Sequence, residues 1–419
     1  MTENAALSGY PDHADAVPLH GPALDEDPDE FYQRLRREHG TVVPVLLDDG
    51  VPAWFVIGYR ELHHVFGMPH LFGRDSRRWN VWEHVPADGP LMATFRWQPT
   101  VLFAEGAERQ RRTGAIGDAM DAVDRTELAM LAEQVSDRLI DGFAGDGKAD
   151  LVTQYARRIP AQVIARLMGM PEADMDDVVT NVNVVLDATS ETFAAYTWLR
   201  DRMSTLMAAK REVPGDDIAS RLIAHPAELS DEEADLDLGV MLVVANTPTA
   251  GWIGNTLRLM LVNDRFSITL QGGRSSVGQA MNEVLWRDPP LRTAPGRWAT
   301  QDCELGGRRI RKGDLLVLGL AAANADPRVQ PADEYEPGAN RAHMSFGHGE
   351  YSCPYPAPEL GEVIAEAAVE VLLDRLPDVD LAVSPDALRW RRSLWMRNLE
   401  TLPVVFSPTA PRPGSWDAG

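Results

Sequence analysis

The chain carries at residues 345–353 the stretch Ser345-Phe346-Gly347-His348-Gly349-Glu350-Tyr351-Ser352-Cys353. Because glycine has no side chain, a loop with two glycines can pass close to a flat molecule and can point amide groups at the sulfur of Cys353. The sequence directly after Cys353 reads as a helix, and a helix N-terminus favours a thiolate over a thiol. Such a loop suits an iron–thiolate bond, although a lone buried cysteine is more often a small apolar core residue.

The composition is that of a globular, acidic protein. The chain has 419 residues, 44% of them hydrophobic and 25% charged, so it can bury a large core. It has 40 Lys and Arg residues against 63 Asp and Glu residues, a net charge of -23. This charge argues against non-specific binding to a polyphosphate or an anionic membrane, so we expect no nucleic-acid partner.

The cysteine content and the N-terminus predict a cytoplasmic protein. Cys303 and Cys353 are too few for a disulfide framework or a multi-cysteine zinc site, and free thiols suit a reducing compartment. Residues 1–19 have no basic segment followed by an apolar run, and about 18 consecutive apolar residues occur nowhere. We therefore expect neither a signal peptide nor a membrane span.

The distribution of apolar residues predicts a mainly α protein with a small β region. The runs Thr41–Leu47 and Val51–Ile57 flank the turn signal Asp48-Asp49-Gly50 and favour a β-hairpin. Residues 118–168 and 191–225 are helical in character, since Ala, Leu, Arg, Glu and Met dominate there. The predicted fold class is α+β.

The domain organisation is predicted to be simple. Residues 1–25 read as an irregular N-terminal arm, and no linker, repeat or low-complexity tract divides residues 26–419. We therefore predict a single domain over 26–419.

A long helix is predicted after residue 230. Ser230 and Glu233 form a plausible capping box, and the helical character continues to about Met260, a span of about 45 Å. The stretch Asn246-Thr247-Pro248-Thr249 interrupts it, because proline lacks an amide donor and costs about 3 kcal/mol inside a helix. From periodicity alone, Pro248 marks either a kink or the end of the helix.

The stretch 345–353 resembles the haem-binding loop of the cytochrome P450 family, Phe-Gly-x-Gly-x-His/Arg-x-Cys-x-Gly. Phe346, Gly347, Gly349 and Cys353 match it, and the resemblance covers most of the chain, including Ala323-Asn324-Ala325-Asp326-Pro327. It implies the cytochrome P450 fold with a long central helix over the haem. It also implies haem b as the cofactor, with Cys353 as the thiolate ligand of its iron.

The same resemblance implies three partners for the haem propionates. Arg111 stands where the family's His-x-x-x-Arg pair ends, Arg297 where a strand arginine is usual, and His343 where a histidine precedes the haem loop. Arginine is suited to this role because its planar fork pairs with a carboxylate. Without the resemblance, each arginine would be read as an exposed surface charge.

Several positions depart from the family pattern. Glu-x-x-Arg is replaced by Glu283-Val284-Leu285-Trp286, and the arginine of the later coil falls near Ala339. A buried Glu283 is expected to pair with Arg287, with Arg341 or with a backbone donor, or to become protonated. Some actinomycete members of the family look similar in carrying tryptophan at the position of Trp286.

The haem loop itself also departs from the pattern. Tyr351 replaces the His or Arg that usually reaches a propionate, and Ala107 replaces the His of His-x-x-x-Arg. After the ligand comes Pro354-Tyr355-Pro356-Ala357-Pro358, in which Tyr355 stands for a glycine. We therefore expect the contacts of this chain with the haem to differ in part from those of the family.

On the oxygen side, the family's long helix carries an acid and an alcohol that relay protons. Aligned on Ile253-Gly254-Asn255, this chain has Thr247 at the acid position and Pro248 at the alcohol position. Thr249 or Asn246 is then the residue that can order a water molecule. The candidate catalytic residues are Thr247, Thr249 and Asn246.

The resemblance implies a haem-thiolate monooxygenase that hydroxylates or oxidatively couples a small molecule of secondary metabolism, with electrons from a ferredoxin and its reductase. Trp79, Trp82 and Trp97, within residues 77–103, indicate an aromatic or peptide-like substrate unless they pack as core. A peroxide-driven reaction remains open because the acid is missing. A haem-binding interaction or regulatory protein with little oxygenase activity is the alternative.

Overall fold

A computed structural model describes residues 11–87, 89–187, 191–263, 275–329 and 340–411. Helices dominate and several small sheets accompany them, which confirms the predicted α+β class. Ala339 and the first ten residues of the predicted arm lie outside the described residues.

The elements of the described residues follow in chain order. The α-helices are Pro28–His39 (α1), Tyr59–Gly67 (α2), Pro90–Phe95 (α3), Gly106–Asp121 (α4), Arg125–Asp141 (α5), Ile159–Leu167 (α6), Met175–Asp187 (α7), Thr192–Glu212 (α8), Ile218–Ile223 (α9), Asp231–Val262 (α10), Ser275–Arg287 (α11), Leu320–Asn324 (α12) and Ala357–Arg375 (α13). The strands are Val17–Pro18 (β1), Val42–Leu46 (β2), Pro52–Val56 (β3), Phe72–Gly73 (β4), Lys148–Asp150 (β5), Ala294–Ala299 (β6), Cys303–Leu305 (β7), Arg308–Ile310 (β8), Leu315–Leu318 (β9), Asp380–Leu381 (β10) and Pro403–Val405 (β11).

The chain divides into two compact parts. The strand-rich part comprises residues 1–110, 285–353 and 392–397, and the helical part comprises residues 111–284, 354–391 and 398–419. Whether residues 26–419 act as a single domain stays a prediction.

The strand-rich part is built on a six-stranded sheet in the order β1-β2-β3-β9-β6-β4. The predicted hairpin is confirmed, since β2 and β3 pair antiparallel with Val43 opposite Phe55. β3 also pairs in parallel with β9, which places the hairpin inside the sheet. Every residue of β3 is buried, as expected for an apolar strand covered on both faces.

The sequence leaves open whether the tryptophans of residues 77–103 contact a substrate or pack as core, and the structure shows how each of them packs. Trp79 is 3% exposed and stacks edge-to-face on Trp82, Phe95 and Trp298. Trp79 therefore belongs to the core of the strand-rich part, and the partly buried Trp82 packs against that core. Trp97 instead lies 4.2 Å from the guanidinium carbon of Arg77.

The helical part is organised around α10, which runs through Pro248 without ending. The capping box is confirmed: the Ser230 hydroxyl accepts the Glu233 amide, and the Glu233 carboxylate accepts the Ser230 amide. α10 packs on α6, α8 and α13, and this burial offsets the cost of the proline. The alternative of a helix end at Pro248 is therefore wrong.

α10 is long and apolar enough to cross a membrane by length and composition alone. Half of its most apolar window is buried inside the protein, as in the core helix of many globular proteins. The helix therefore gives only weak support for a membrane span.

A buried ion pair joins α4 to α10. Arg112 and Asp237 are 1% and 0% exposed, and the guanidinium donates to both carboxylate oxygens, at 2.8 and 2.6 Å. Because both charges are out of water, removing one of them leaves the other uncompensated.

We predict that Asp237→Asn lowers the free energy of unfolding by about 3–5 kcal/mol, since Arg112 loses its buried counter-charge. The matched control is Asp231→Asn on the same helix, whose pair with Arg211 is exposed; we expect a loss of at most about 1 kcal/mol there. Urea denaturation followed by circular dichroism measures both. Equal losses would contradict the role assigned to the buried pair.

Candidate functional site: the Cys353 loop and the arginine cluster

The loop that ends at Cys353 packs closely on α2. The Cys353 amide donates to the Phe346 carbonyl at 2.9 Å and closes the loop. Gly347 and Gly349 have φ angles of 64° and 72°, which favour glycine. A Cβ at Gly349 would lie 2.7 Å from the carbonyl oxygen of Phe66, so α2 itself demands a glycine at that position.

Asn324 ties the approach to this loop to α11. Its Oδ1 accepts the Met344 amide at 2.7 Å, and its Nδ2 donates to the Leu285 carbonyl at 2.9 Å. Asn324 itself is fully buried. The Ala-Asn-Ala-Asp-Pro segment seen in the sequence thus supports the start of the Cys353 loop.

Asp326, from the same segment, holds the N-terminus of α2. Its carboxylate accepts the Tyr59 amide at 3.0 Å. Although burial opposes ionisation, hydrogen bonds from Arg328 and Tyr59 lower the pKa of Asp326 to about 2. An ionised carboxylate at this end of a helix is favourable, and it fixes the helix on which the loop rests.

Cys353 is a free, half-buried cysteine, and desolvation of its thiol raises the pKa to about 12. The expectation that a helix follows Cys353 directly is wrong. α13 begins only at Ala357, because Pro354-Tyr355-Pro356 forms a turn first. Burial therefore opposes the thiolate form in the protein alone, and coordination to a metal ion would favour it.

Three guanidinium groups surround the ring of Tyr351, and we call them the arginine cluster. Arg297, Arg109 and Arg74 lie 4.9, 5.0 and 5.5 Å from the ring centroid. Arg297 is fully buried and Arg109 is 4% exposed. Burial lowers the pKa of Arg297 to about 9, because the charged form is poorly solvated there.

Some hydrogen-bond donors of the arginine cluster are not used within the described residues. Among the described residues, Nε and Nη2 of Arg297 and Nε of Arg74 have no hydrogen-bond partner, and neither arginine pairs with a carboxylate. The nearby Glu105 instead binds the guanidinium of Arg78. A buried cation without a counter-charge is costly, so the cluster fits an anionic ligand.

Arg297 is the predicted propionate residue that lies in this cluster. Arg111 forms an ion pair with Glu233 and donates to the Ala227 carbonyl. His343 lies against the rings of Trp286 and Phe346, and burial, with the charge of Arg341, lowers its pKa to about 4. The roles of Arg111 and His343 at a propionate stay predictions.

Sequence reasoning missed Arg74 and Arg109, and it named Tyr351 only as the replacement for a family His or Arg. Arg109 stands two residues after Ala107, inside the segment that matches His-x-x-x-Arg incompletely. Its charge at that place could have marked it as a candidate. Arg74 carries no motif, and only the fold brings it to Tyr351.

Trp286 takes over a structural link where the family has an arginine. Its indole N–H donates to the Asn340 carbonyl at 2.8 Å, and the side chain is 1% exposed. Glu283 is 3% exposed, and its partner stays a prediction. Ala339, the coil position expected to match the family's arginine, lies outside the described residues.

The candidate catalytic residues lie on α10. Thr249 Oγ1 donates to the Ala245 carbonyl at 2.8 Å, and Thr247 Oγ1 donates to the Val243 carbonyl at 3.3 Å. Asn246 is fully buried, and neither of its amide atoms has a partner among the described residues. A buried amide with both atoms unpaired is a place for an ordered water molecule.

Comparison with known proteins gives three informative relatives. Vitamin D(3) 25-hydroxylase of Pseudonocardia autotrophica is 30% identical over 397 residues, 91% of this chain and 94% of that protein. Mycinamicin IV hydroxylase/epoxidase of Micromonospora griseorubida is 30% identical over 374 residues, which are 85% of this chain and 90% of that protein. Polyketide biosynthesis cytochrome P450 PksS of Bacillus subtilis is 31% identical over 286 residues, which are 66% of this chain and 70% of that protein.

The solved structure of PksS matches 93% of this chain and 99% of its own, with a TM-score of 0.81 at 25% identity. No family model matches the sequence. The chain belongs to the cytochrome P450 family. This cytochrome P450 is a monooxygenase with haem b as its cofactor, of the kind that acts in bacterial secondary metabolism.

The residues of this cytochrome P450 fit haem. We propose that Cys353 supplies the thiolate, with Phe346, Gly347 and Gly349 shaping its loop. Arg297, the predicted propionate residue in the arginine cluster, supplies positive charge that a propionate requires. Its unpaired buried nitrogens are the structural observation that supports this assignment.

We predict that Cys353→Ser removes the strongly red-shifted Soret band of the reduced, carbon monoxide-bound protein, because a hydroxyl does not replace the thiolate. The matched control is Cys303→Ser, which changes the other free cysteine. We expect the control to keep the band. Retention of the band in Cys353→Ser would refute the ligand assignment.

Proposed function

We propose that this enzyme hydroxylates a largely apolar small molecule. The observation that carries the proposal is an accessible apolar stripe on α10, formed by Met241, Val244, Ala245 and Pro248. These residues recur at helical spacing on one face, and Val244 is 49% exposed. Apolar side chains at the family's oxygen-side segment favour an apolar substrate surface.

An aromatic or peptide-like substrate stays a prediction. It was based on three tryptophans, and two of them, Trp79 and Trp82, pack in or against the core. Oxidative coupling also stays open, since the apolar stripe sets the polarity of a substrate but not the reaction it undergoes.

Bound haem would supply the oxidising chemistry, in which dioxygen, two electrons and two protons give a hydroxylated product and water. The protein must then deliver protons without the family's acid. Asn246 is the buried polar group available to hold a water molecule, and Thr249 lies one turn on along the same buried side of α10. Thr247 stands on the more accessible side.

We predict that Asn246→Leu and Thr249→Val lower the product formed per electron about tenfold or more in ferredoxin-driven turnover, because proton delivery is impaired. Peroxide-driven turnover of the same variants is the control, since peroxide brings its own protons. Product yield against NAD(P)H consumption measures the effect. An equal loss in both reactions would indicate a structural role, and no loss in either would remove these residues from proton delivery.

The peroxide route is a second candidate activity, favoured by Pro248 and by the missing acid. Comparable wild-type rates with peroxide and with ferredoxin would support it. Binding of haem without turnover in either system would support the haem-binding interaction protein instead.

The electron donors are proposed to be a ferredoxin and its reductase. α2 exposes Arg60, His63 and His64, and the loop residue His348 stacks on His63 with ring centroids 4.0 Å apart. This surface, which carries the Arg60 guanidinium and imidazoles, adjoins the Cys353 loop and would suit an acidic carrier. A cytoplasmic location also stays a prediction, in keeping with two free cysteines.

We predict that the combined change Arg60→Glu, His63→Glu and His64→Glu raises the KM for ferredoxin at least tenfold at low salt, because like charges then repel. Peroxide-driven turnover should stay unchanged. Arg309→Glu, an exposed change on β8 of the same part, is the matched control. An unchanged KM in the triple variant would place the carrier elsewhere.

A further inference from the structure

Two haem-contacting residues of the family are missing from this chain. Tyr351 stands where a His or Arg usually reaches a propionate, and Ala107 stands where the His of His-x-x-x-Arg is usual. The missing groups would each donate a charged or polar hydrogen bond. The structure provides two other cations in the same strand-rich part.

Arg109 is held in a fixed orientation beside Tyr351. Its Nε donates to the Glu350 carbonyl at 3.0 Å, and its Nη1 donates to the Val101 carbonyl at 2.8 Å. The side chain is 4% exposed. Arg109 lies on α4, two residues from the alanine that replaces the family's histidine.

Arg74 approaches Tyr351 from a different segment. Its Nη2 donates to the Tyr351 carbonyl at 3.2 Å, and its Nε has no partner among the described residues. Burial, followed by the charges of Arg297 and Arg109, lowers its pKa well below the usual range. Glu105, whose carboxylate accepts the Arg74 amide, is already bound by the guanidinium of Arg78.

The ring of Tyr351 is a platform for these groups. Cations favour the face of an aromatic ring, so the ring holds three guanidinium groups near one another in spite of their repulsion. Such an arrangement is costly without an anion, because Arg74 and Arg297 have no carboxylate partner among the described residues.

We propose that Arg74 and Arg109 replace the two missing family residues as haem-propionate ligands, with Tyr351 as the ring that positions them. This inference rests on the proposed haem site. With Arg297 it gives three cations for two propionates. The excess positive charge would strengthen haem retention and raise the reduction potential of the iron.

The test measures haem loss and the midpoint potential of the purified holoenzyme. We expect Arg74→Gln and Arg109→Gln each to speed haem transfer to apomyoglobin about tenfold, and to make the potential more negative. Arg74→Lys and Arg109→Lys should largely preserve the potential because the charge remains. Arg96→Gln, an exposed change in the same part, is the matched control.

The outcomes are separable from those of the proposed function. Wild-type haem loss and potential in both Gln variants would overturn the inference, while an intact red-shifted carbon monoxide spectrum would leave the haem site standing. If a Gln variant does not fold, the corresponding Lys variant provides the test. A midpoint potential shifted in the Lys variant as far as in Arg297→Gln would refute the role of the positive charge. A wild-type protein that binds no haem refutes both proposals.

Discussion

The contact between the Cys353 loop and α2 is the constraint on which the site depends. Gly349 can lie against the Phe66 carbonyl only because it has no Cβ, and the loop is closed by the bond from Cys353 to Phe346. α2 is fixed in turn by the Asp326 carboxylate at its N-terminus. The position of the sulfur therefore depends on glycine geometry and on a helix cap at the far end of α2.

Buried charges in this protein fall into two kinds. Arg112 has a buried carboxylate, Asp237, that satisfies it in two hydrogen bonds, so the pair is complete within the protein. Arg297 is equally buried, but two of its nitrogens have no hydrogen-bond partner within the part of the chain that the structure describes. Because an unpaired buried charge is costly, the first kind indicates a structural role and the second indicates a ligand.

The long helix shows where local rules give the right result and where they stop. The Ser230 capping box depends on residues three apart, so it was predicted and it is present. Whether Pro248 ends the helix could not be predicted, since the outcome depends on packing against α6, α8 and α13. The same packing buries Asn246 with no hydrogen-bond partner in the described ranges, a property that no local sequence pattern predicts.

The sequence by itself determined the α+β class, the β2–β3 hairpin, the helix cap and the Cys353 loop, because each depends on neighbouring residues or on a short motif. The family resemblance also predicted a propionate role for Arg297, which stays a prediction. Only the tertiary structure decided that Trp79 belongs to the core, that Trp82 packs against it and that Arg74 and Arg109 meet at Tyr351. Arg74 and Tyr351 are distant in the chain, and a contact between distant residues is set by the fold.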